Sequence, residues 1–425
     1  MNAVWPALSS ADPDIPPDRV AVAAHGHLIR YADGSTRLCA TSGLWNVPLG
    51  YGHEGIADAV TAALREASYL TLFRGVHRPA QDAADALLDL AGRHSYRRVI
   101  FSTSGGAAND AAMKLARQYQ IERAESARTV IVGLRGSYHG TMYGSHALSG
   151  DALAQGAYAL DRRAVRHVDH ADGGAQLVSL VQREGARIAA VVLEPVLGTG
   201  AFPLDPDFVE TVLDLRDEHG FLVVADEVAT GFGRTGPLFA SSTWSRSPDV
   251  LILSKALTNG ALGAAALLVG ARVASEFRHR RTTFVHGETQ AGTPGVAAAI
   301  VTVADEFRRA ATVDAIEAVA RGVRQLAERL VRDGWGAEVR GRGAFLALAL
   351  RDPSGPFAHG APSSSRLPAR RVADVVRAIA DAGAVVHPGL DGIQLIPAYG
   401  LDARELGQLD SAIRAGLAQV AERAA

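Results

Sequence analysis

The middle of the chain alternates short apolar runs with amphipathic stretches. "RVIFSTSG", "RTVIVGLRGSYHG", "IAAVVLEPV", "GFLVVADEV", "DVLILSKAL" and "AAALLVG" each carry consecutive apolar residues with no polar alternation. Such runs predict strands buried on both faces. Between them lie segments with helical spacing, such as "AANDAAMKLARQYQ" and "DFVETVLDLRDEHG". Strands and helices in turn predict an α/β fold with a mostly parallel central sheet and helices on both faces. Ligands of such sheets collect beyond the carboxyl ends of the strands. "STSGG", "GSYHG", "LEP", "ADEV" and "SKAL" all fall at those ends.

After about residue 300 the texture changes. A long Ala/Arg/Glu-rich helical stretch leads to "VRGRGAFLALAL", then to the polar segment "RDPSGPFAHGAPSSSRLPAR", which reads as an exposed loop. A helix, the short strand "GIQLIPA" and a last helix follow. The expected organisation is an N-terminal arm and part of a small domain over 1–50, a large domain over 51–300, and a smaller α+β domain over 301–425. The proline-bearing start, "MNAVWPALSSADPDIPPDRV", lacks the basic and apolar regions of a secretory signal. "GALGAAALLVG" is too short and glycine-rich to span a bilayer.

Charge narrows the partners. Lys+Arg 43 against Asp+Glu 45 leaves a formal net charge of -2, which offers no global attraction for nucleic acid or an anionic membrane. The one cysteine, Cys39, excludes an intrachain disulfide and suits a reducing, cytoplasmic setting.

Lys255 stands at the end of the apolar run in "DVLILSKALTNG". A buried ammonium is costly, so this lysine is either a solvated strand-end residue or a functional amine. In "FSTSGGAAND", small residues from Ser104 to Ala108 follow a strand and open a helix. Free N–H groups there suit a phosphate, although such turns are also small for steric reasons. In "VVADEV", strand alternation turns one of Asp226 and Glu227 inward. That carboxylate is a solvated strand end, a metal ligand, or the partner of a buried cation such as a protonated heterocyclic nitrogen. Lys255 follows Asp226 by 29 residues, the repeat of one strand–helix–strand unit. A phosphate cradle, a cation-pairing Asp and a lysine at neighbouring strand ends are what pyridoxal 5'-phosphate requires. The lysine forms an imine with its aldehyde, and the Asp keeps the pyridine nitrogen protonated. A nicotinamide-dependent oxidoreductase fits worse, since no G-x-G-x-x-G joins a predicted strand directly to a predicted helix.

With these motifs, nearly the whole chain resembles the class III pyridoxal-phosphate aminotransferases of fold type I. The resemblance implies that Ser104, Gly105 and Gly106 hold the phosphate and that Tyr138 stacks on the pyridine ring beside His139. It places Glu194 at the substrate edge, Asp226 on the ring nitrogen, Val228 on the opposite ring face and Lys255 as the catalytic amine. In "GETQAGTP", Thr289 would reach the phosphate of a partner subunit, which implies a homodimer with shared active sites. The chain departs from the family at Ala107, where an acidic residue is usual, at Thr293, and at Gln394. Relatives acting on α-amino acids carry there an arginine that binds the substrate carboxylate and pairs with the "LEP" glutamate. Without it, Glu194 is expected to face an incoming substrate.

"SGLWNVPLGYGHEGIADAV" and "SYLTLFRGVHRPA" resemble the ω-transaminase branch, in which Trp45, Tyr69 and Phe73 would line the pocket; ordinary core packing is the other reading of Trp45 and Phe73. That branch carries a mobile carboxylate-binding arginine where "AVVHPGLDG" offers His387. The run through "VHGETQAGTP" also resembles aminotransferases of daptide-type ribosomal peptide pathways, which aminate a C-terminal ketone. The expected reaction is ping-pong transfer from a donor such as alanine or glutamate to an aldehyde or ketone lacking an α-carboxylate. Arg74 and Arg342 are candidates for the donor carboxylate. An aminomutase or racemase on the same fold would retain Lys255 and Asp226 and is the alternative.

Overall fold

The computed structural model describes residues 3–150, 153–352 and 366–423. Of the loop expected in "RDPSGPFAHGAPSSSRLPAR", residues 353–365 lie outside the described residues. A seven-stranded sheet forms the centre, in the spatial order Tyr96–Ser102, Ala265–Gly270, Val250–Leu253, Leu222–Asp226, Ile188–Leu193, Val130–Leu134, Val165–Val168. Every apolar run quoted above supplies one of these strands. Ala265–Gly270 alone runs antiparallel to its neighbours; the remaining pairs are parallel. The edge strand Val165–Val168 has half-buried Arg166 and His167 at its centre, so it lacks the apolar signature of the others.

Burial on both faces explains the unbroken apolar runs. Along Leu222–Asp226, Leu222 and Val224 join the core that holds Ala108, Ala111 and Leu115 of the helix Gly105–Glu122. Val223, between them, joins the opposite core with Leu177 and Val212, from the helices Ala175–Glu184 and Pro206–His219. Each such side chain contributes about 1.5–3 kcal/mol of transfer free energy. Local signals set the helix ends. Ser104 Oγ accepts from the Ala107 N–H at the start of Gly105–Glu122. Asp205 and Pro206 start Pro206–His219, and Gly220 at φ 78 stops it.

Two four-stranded sheets accompany the central one. One orders Gly336–Arg342, Phe345–Leu350, Gly392–Leu395 and His387–Pro388, all antiparallel. The other joins the N-terminal strands Ala21–His25, Leu28–Tyr31 and Thr36–Cys39 to Ala384–Val385, so both ends of the chain share a sheet. No described helix is long and apolar enough to cross a membrane.

The last helix, Ala403–Glu422, opens with a capping box between Asp402 and Glu405 and packs on Ala369–Asp381. A Cβ on its Gly416 would lie 2.6 Å from the Ile379 nitrogen, whereas one on Gly407 would meet nothing within 4 Å. Gly416→Ala is therefore expected to destabilise the fold by about 1–3 kcal/mol. Gly407→Ala, in the same helix, is expected to stabilise it by up to about 1 kcal/mol. Urea unfolding midpoints check both, and equal effects of the two substitutions would contradict this helix contact.

Candidate active site

Lys255 follows Val250–Leu253 after Ser254, whose Oγ donates to the Ala264 carbonyl at 2.7 Å. At φ 46 Lys255 is in the left-handed region, which costs a non-glycine residue about 1 kcal/mol or more and turns the chain sharply. Its Nζ lies 4.8 Å from the centre of the Trp45 ring. Burial pulls the Lys255 pKa below the usual lysine value. The Glu194 and Asp226 carboxylates oppose that fall, and the Arg234 guanidinium adds to it. An amine held this way is more readily available as a nucleophile.

Asp226 ends the neighbouring strand and is 3% exposed. Its Oδ2 accepts from His139 Nδ1 at 2.7 Å and Asn109 Nδ2 at 2.8 Å, and its Oδ1 accepts from the Val228 N–H at 3.1 Å. Burial would pull the His139 imidazole down, yet the hydrogen bond and charge of Asp226, with Glu194 adding, hold it above its ordinary value. His139 thus buttresses Asp226 from below. Asn109 is a partner that the motifs do not flag, although "TSGGAAND" contains it; its place one turn into the helix aims its amide at Asp226. Glu227 points to the other side of the strand. There it accepts from Ser241, Ala240 and Thr230, so it serves the core and not the site.

The cradle is tight. A Cβ on Gly105 would stand 3.1 Å from both Val228 methyl carbons, and one on Gly140, at φ 117, would stand 2.6 Å from Gly106 Cα. Segment 138–140 therefore packs directly on the helix N-terminus, and the Ser104 hydroxyl hydrogen stays available while its oxygen caps Ala107. A lysine amine, a buried carboxylate with fixed donors, and a glycine-lined helix N-terminus fit the aldehyde, ring nitrogen and phosphate of pyridoxal phosphate.

On the substrate side, Ser42, Gly43, Leu44 and Trp45 have φ of 46, 55, 59 and 65, a left-handed turn with one glycine. Ser42 Oγ anchors it on the Ile396 carbonyl at 2.6 Å. The turn sets the Trp45 ring edge-on to Phe345 at 5.5 Å and to His387 at 4.9 Å. Burial, with the nearby Lys255 charge, pushes His387 down to about 4, so it is neutral near pH 7.

Glu194 differs from expectation. It is 4% exposed, with Oε2 accepting from the Tyr138 N–H at 2.9 Å and Oε1 from the Gly198 N–H at 3.0 Å. It is pinned into the wall instead of facing an incoming substrate, because these two backbone donors claim it. Gln394 donates to the Gly198 carbonyl at 3.1 Å, and its Oε1 has no partner among the described residues. Tyr138 itself is 40% exposed.

Tyr69, Phe73 and Thr289 form a separate unit. The Tyr69 hydroxyl donates to the Thr289 carbonyl at 3.1 Å, and the Phe73 ring lies 3.0 Å from a Cβ position on Gly287. All of them are exposed, as is Arg74 on the same loop. Arg342 lines a cavity of about 150 Å³ with Pro195, Thr235 and Trp244. The guanidinium closest in effect to Lys255 is that of Arg234, which is fully buried, donates to the Pro397 carbonyl at 2.6 Å and lies over the Tyr399 ring.

Burial pushes the Glu194 pKa up to about 7; His139 opposes the shift, Asp226 reinforces it, and the two backbone donors oppose it. A carboxyl raised in the folded state stabilises below its unfolded value, and the contribution is lost as pH rises through the folded value. Between about pH 4.5 and 7, the stability of Glu194→Gln should therefore fall less with pH than that of the unaltered protein. Unfolding midpoints across that window check this, and parallel profiles would contradict it.

The model of the family Aminotransferase class-III matches residues 10–416. The chain is 32% identical over 354 residues to an acetylornithine aminotransferase of Corynebacterium efficiens, across 82% of this chain and 84% of that one. It is 28% identical over 379 residues to a putrescine–pyruvate aminotransferase of Pseudomonas aeruginosa, across 81% and 82%. Among solved structures, an amine transaminase from an uncultivated Pseudomonas species, in its PLP-bound form, matches with a TM-score of 0.85 at 28% identity over 99% of both chains. An ω-transaminase of Pseudomonas jessenii in complex with PMP matches with a TM-score of 0.87 at 22% identity, over 95% of this chain and 93% of that one, a likeness of fold. The chain belongs to the class-III aminotransferases, enzymes of fold type I that use pyridoxal phosphate.

Proposed function

We propose that this aminotransferase moves an amino group, in two ping-pong half-reactions, from a small amino donor to an aldehyde or ketone that lacks an α-carboxylate. The observation that carries the reading is the uncharged roof over Lys255. Gln394 is neutral and bonded to Gly198, and His387 is neutral near pH 7. Trp45 fills the space beside them. A carboxylate brought there would find a neutral amide and a neutral imidazole in place of a pairing guanidinium. Relatives named for putrescine and for amines support amine chemistry, although acetylornithine aminotransferases match as well. Within this class we favour the C-terminal ketone of a modified, daptide-type ribosomal peptide; its support is the likeness of "TSGLWNVPLGYG", "SYLTLFRGVHRP" and "VHGETQAGTP" to that group.

Bound pyridoxal phosphate supplies an aldehyde for imine formation and a ring that takes up the electrons of the bond broken at the substrate carbon. The protein does the rest. Lys255, whose lowered pKa favours its neutral amine, would serve as the base that takes the proton from the substrate carbon. Asp226, fixed by His139 and Asn109, would keep the ring nitrogen protonated. Ser104, Gly105 and Gly106 would hold the phosphate, Tyr138 and Val228 would lie against the ring, and Trp45 with His387 would exclude water.

Shared sites in a homodimer complete the proposal. Exposed Tyr69, Leu70, Phe73, Val76 and Val285 form an apolar face suited to a second copy, which would receive Thr289, Tyr69 and Phe73 in its own site. A cytoplasmic setting is proposed from the single buried cysteine.

Donor alone, added to purified holoenzyme, should convert the lysine-bound cofactor band to the amino form; a band that persists with every donor while a single substrate is isomerised would favour a mutase. Acceptors then test specificity. Methyl ketones should exceed matched α-keto acids in kcat/KM, and comparable values would sink the reading. Gln394→Arg should raise kcat/KM for α-keto acids by about 10–100-fold, the worth of a charge-assisted pair. No gain in this variant would show that the roof does not set the preference.

A further inference from the structure

Glu288 precedes Thr289 in the chain and points the opposite way. Its Oε1 accepts from Ser102 Oγ at 2.5 Å, and its Oε2 accepts from the Thr103 N–H at 3.0 Å and from the Thr103 hydroxyl. Ser102 ends the strand Tyr96–Ser102, and Thr103 leads directly into Ser104, the cap of the cradle helix. An anion beside a phosphate site is unfavourable unless its lone pairs are committed elsewhere. Here both oxygens are committed to the root of the loop. The N–H groups at the helix N-terminus belong to later residues, Gly105 and Gly106.

The stretch around Glu288 is held at two further points. Lys114 Nζ donates to the Val285 carbonyl at 2.9 Å, and the Tyr69 hydroxyl donates to the Thr289 carbonyl at 3.1 Å. His286 Nε2 lies 3.7 Å from Glu288 Oε1. The Thr289 side chain is left on the exposed face. A single two-residue step thus ties the chain's own phosphate loop to the side chain aimed outwards.

We propose that Glu288 is a positioning residue that couples the two phosphate cradles of the homodimer. In its own subunit it fixes Thr103 and so the direction of the Ser104–Gly106 donors. Across the interface it fixes the backbone that presents Thr289 to the other cradle. This inference rests on the homodimer proposed above. Removing the Glu288 carboxylate loosens both cofactor sites, whereas removing the Thr289 hydroxyl loosens only the one across the interface.

Mixed dimers separate these outcomes. One unaltered and one altered chain, carrying different affinity tags, are purified together, stripped of cofactor and titrated with pyridoxal phosphate by absorbance. In the Glu288→Ala mixed dimer, both sites should bind more weakly than in the unaltered dimer, by about 10-fold or more, as for loss of hydrogen bonds to a charged group. In the Thr289→Ala mixed dimer, one site should keep the unaltered Kd. A Glu288→Ala mixed dimer with one or two sites of unaltered Kd would overturn the coupling. Glu288→Gln, which keeps an acceptor for the Thr103 N–H, should weaken both sites less, and it carries the test if Glu288→Ala fails to fold. Sedimentation of the unaltered holoenzyme as a monomer would overturn the homodimer reading, and the coupling with it.

Discussion

A carboxylate buried as deeply as that of Asp226 must be surrounded by donors, or it costs several kcal/mol and is protonated. The chain meets this demand with Asn109, His139 and the Val228 N–H. Each donor constrains something else. Asn109 reaches Asp226 only if the helix Gly105–Glu122 starts at Ser104, and this fixes the phosphate cradle. His139 reaches it only if segment 138–140 lies on Gly106, and Gly140 at φ 117 permits that approach. The same segment offers the Tyr138 N–H that pins Glu194. The helix N-terminus, segment 138–140 and the Glu194 wall thus share one electrostatic requirement, which also tempers the fall in the Lys255 pKa.

The roof adds shape where the floor adds charge. Phe345, Gln394 and His387 come from three adjacent strands, and Trp45 comes from a turn near the other end of the chain. That turn is strained at Ser42, Leu44 and Trp45, at about 1–2 kcal/mol per residue, and packing against the roof with the Ser42 anchor must offset the strain. A strained segment held by the small sheet ties the geometry of the pocket to the docking of that sheet. In the function proposed, an aromatic and uncharged roof selects against carboxylates while the floor retains the family's chemistry.

Much of this was legible in the sequence. Unbroken apolar runs mark two-sided burial, and the central sheet follows from them. Motifs at strand ends converge because parallel strands bring their ends together, and Lys255, Asp226 and Gly105 do meet there. Other features depend on contacts that spacing does not encode. The direction of Ala265–Gly270 is invisible in a run that is apolar on both faces. Asn109 sits inside a quoted motif and Arg234 just beyond another, but their partners lie far along the chain. Glu194 looks free when its arginine is missing, because backbone donors leave no mark in a sequence. Tyr69 and Phe73 read as pocket residues, yet within one chain they pack on 287–289 and face outwards.

The proposed chemistry depends on a carboxylate that keeps the cofactor's ring nitrogen protonated, and the nitrogen itself reports on this. Holoenzyme loaded with pyridoxal phosphate labelled with nitrogen-15 in the ring should show the shift of a protonated pyridine near neutral pH, and Asp226→Asn should lose it. An unprotonated nitrogen in the unaltered protein would contradict the central role given to Asp226 and its partners.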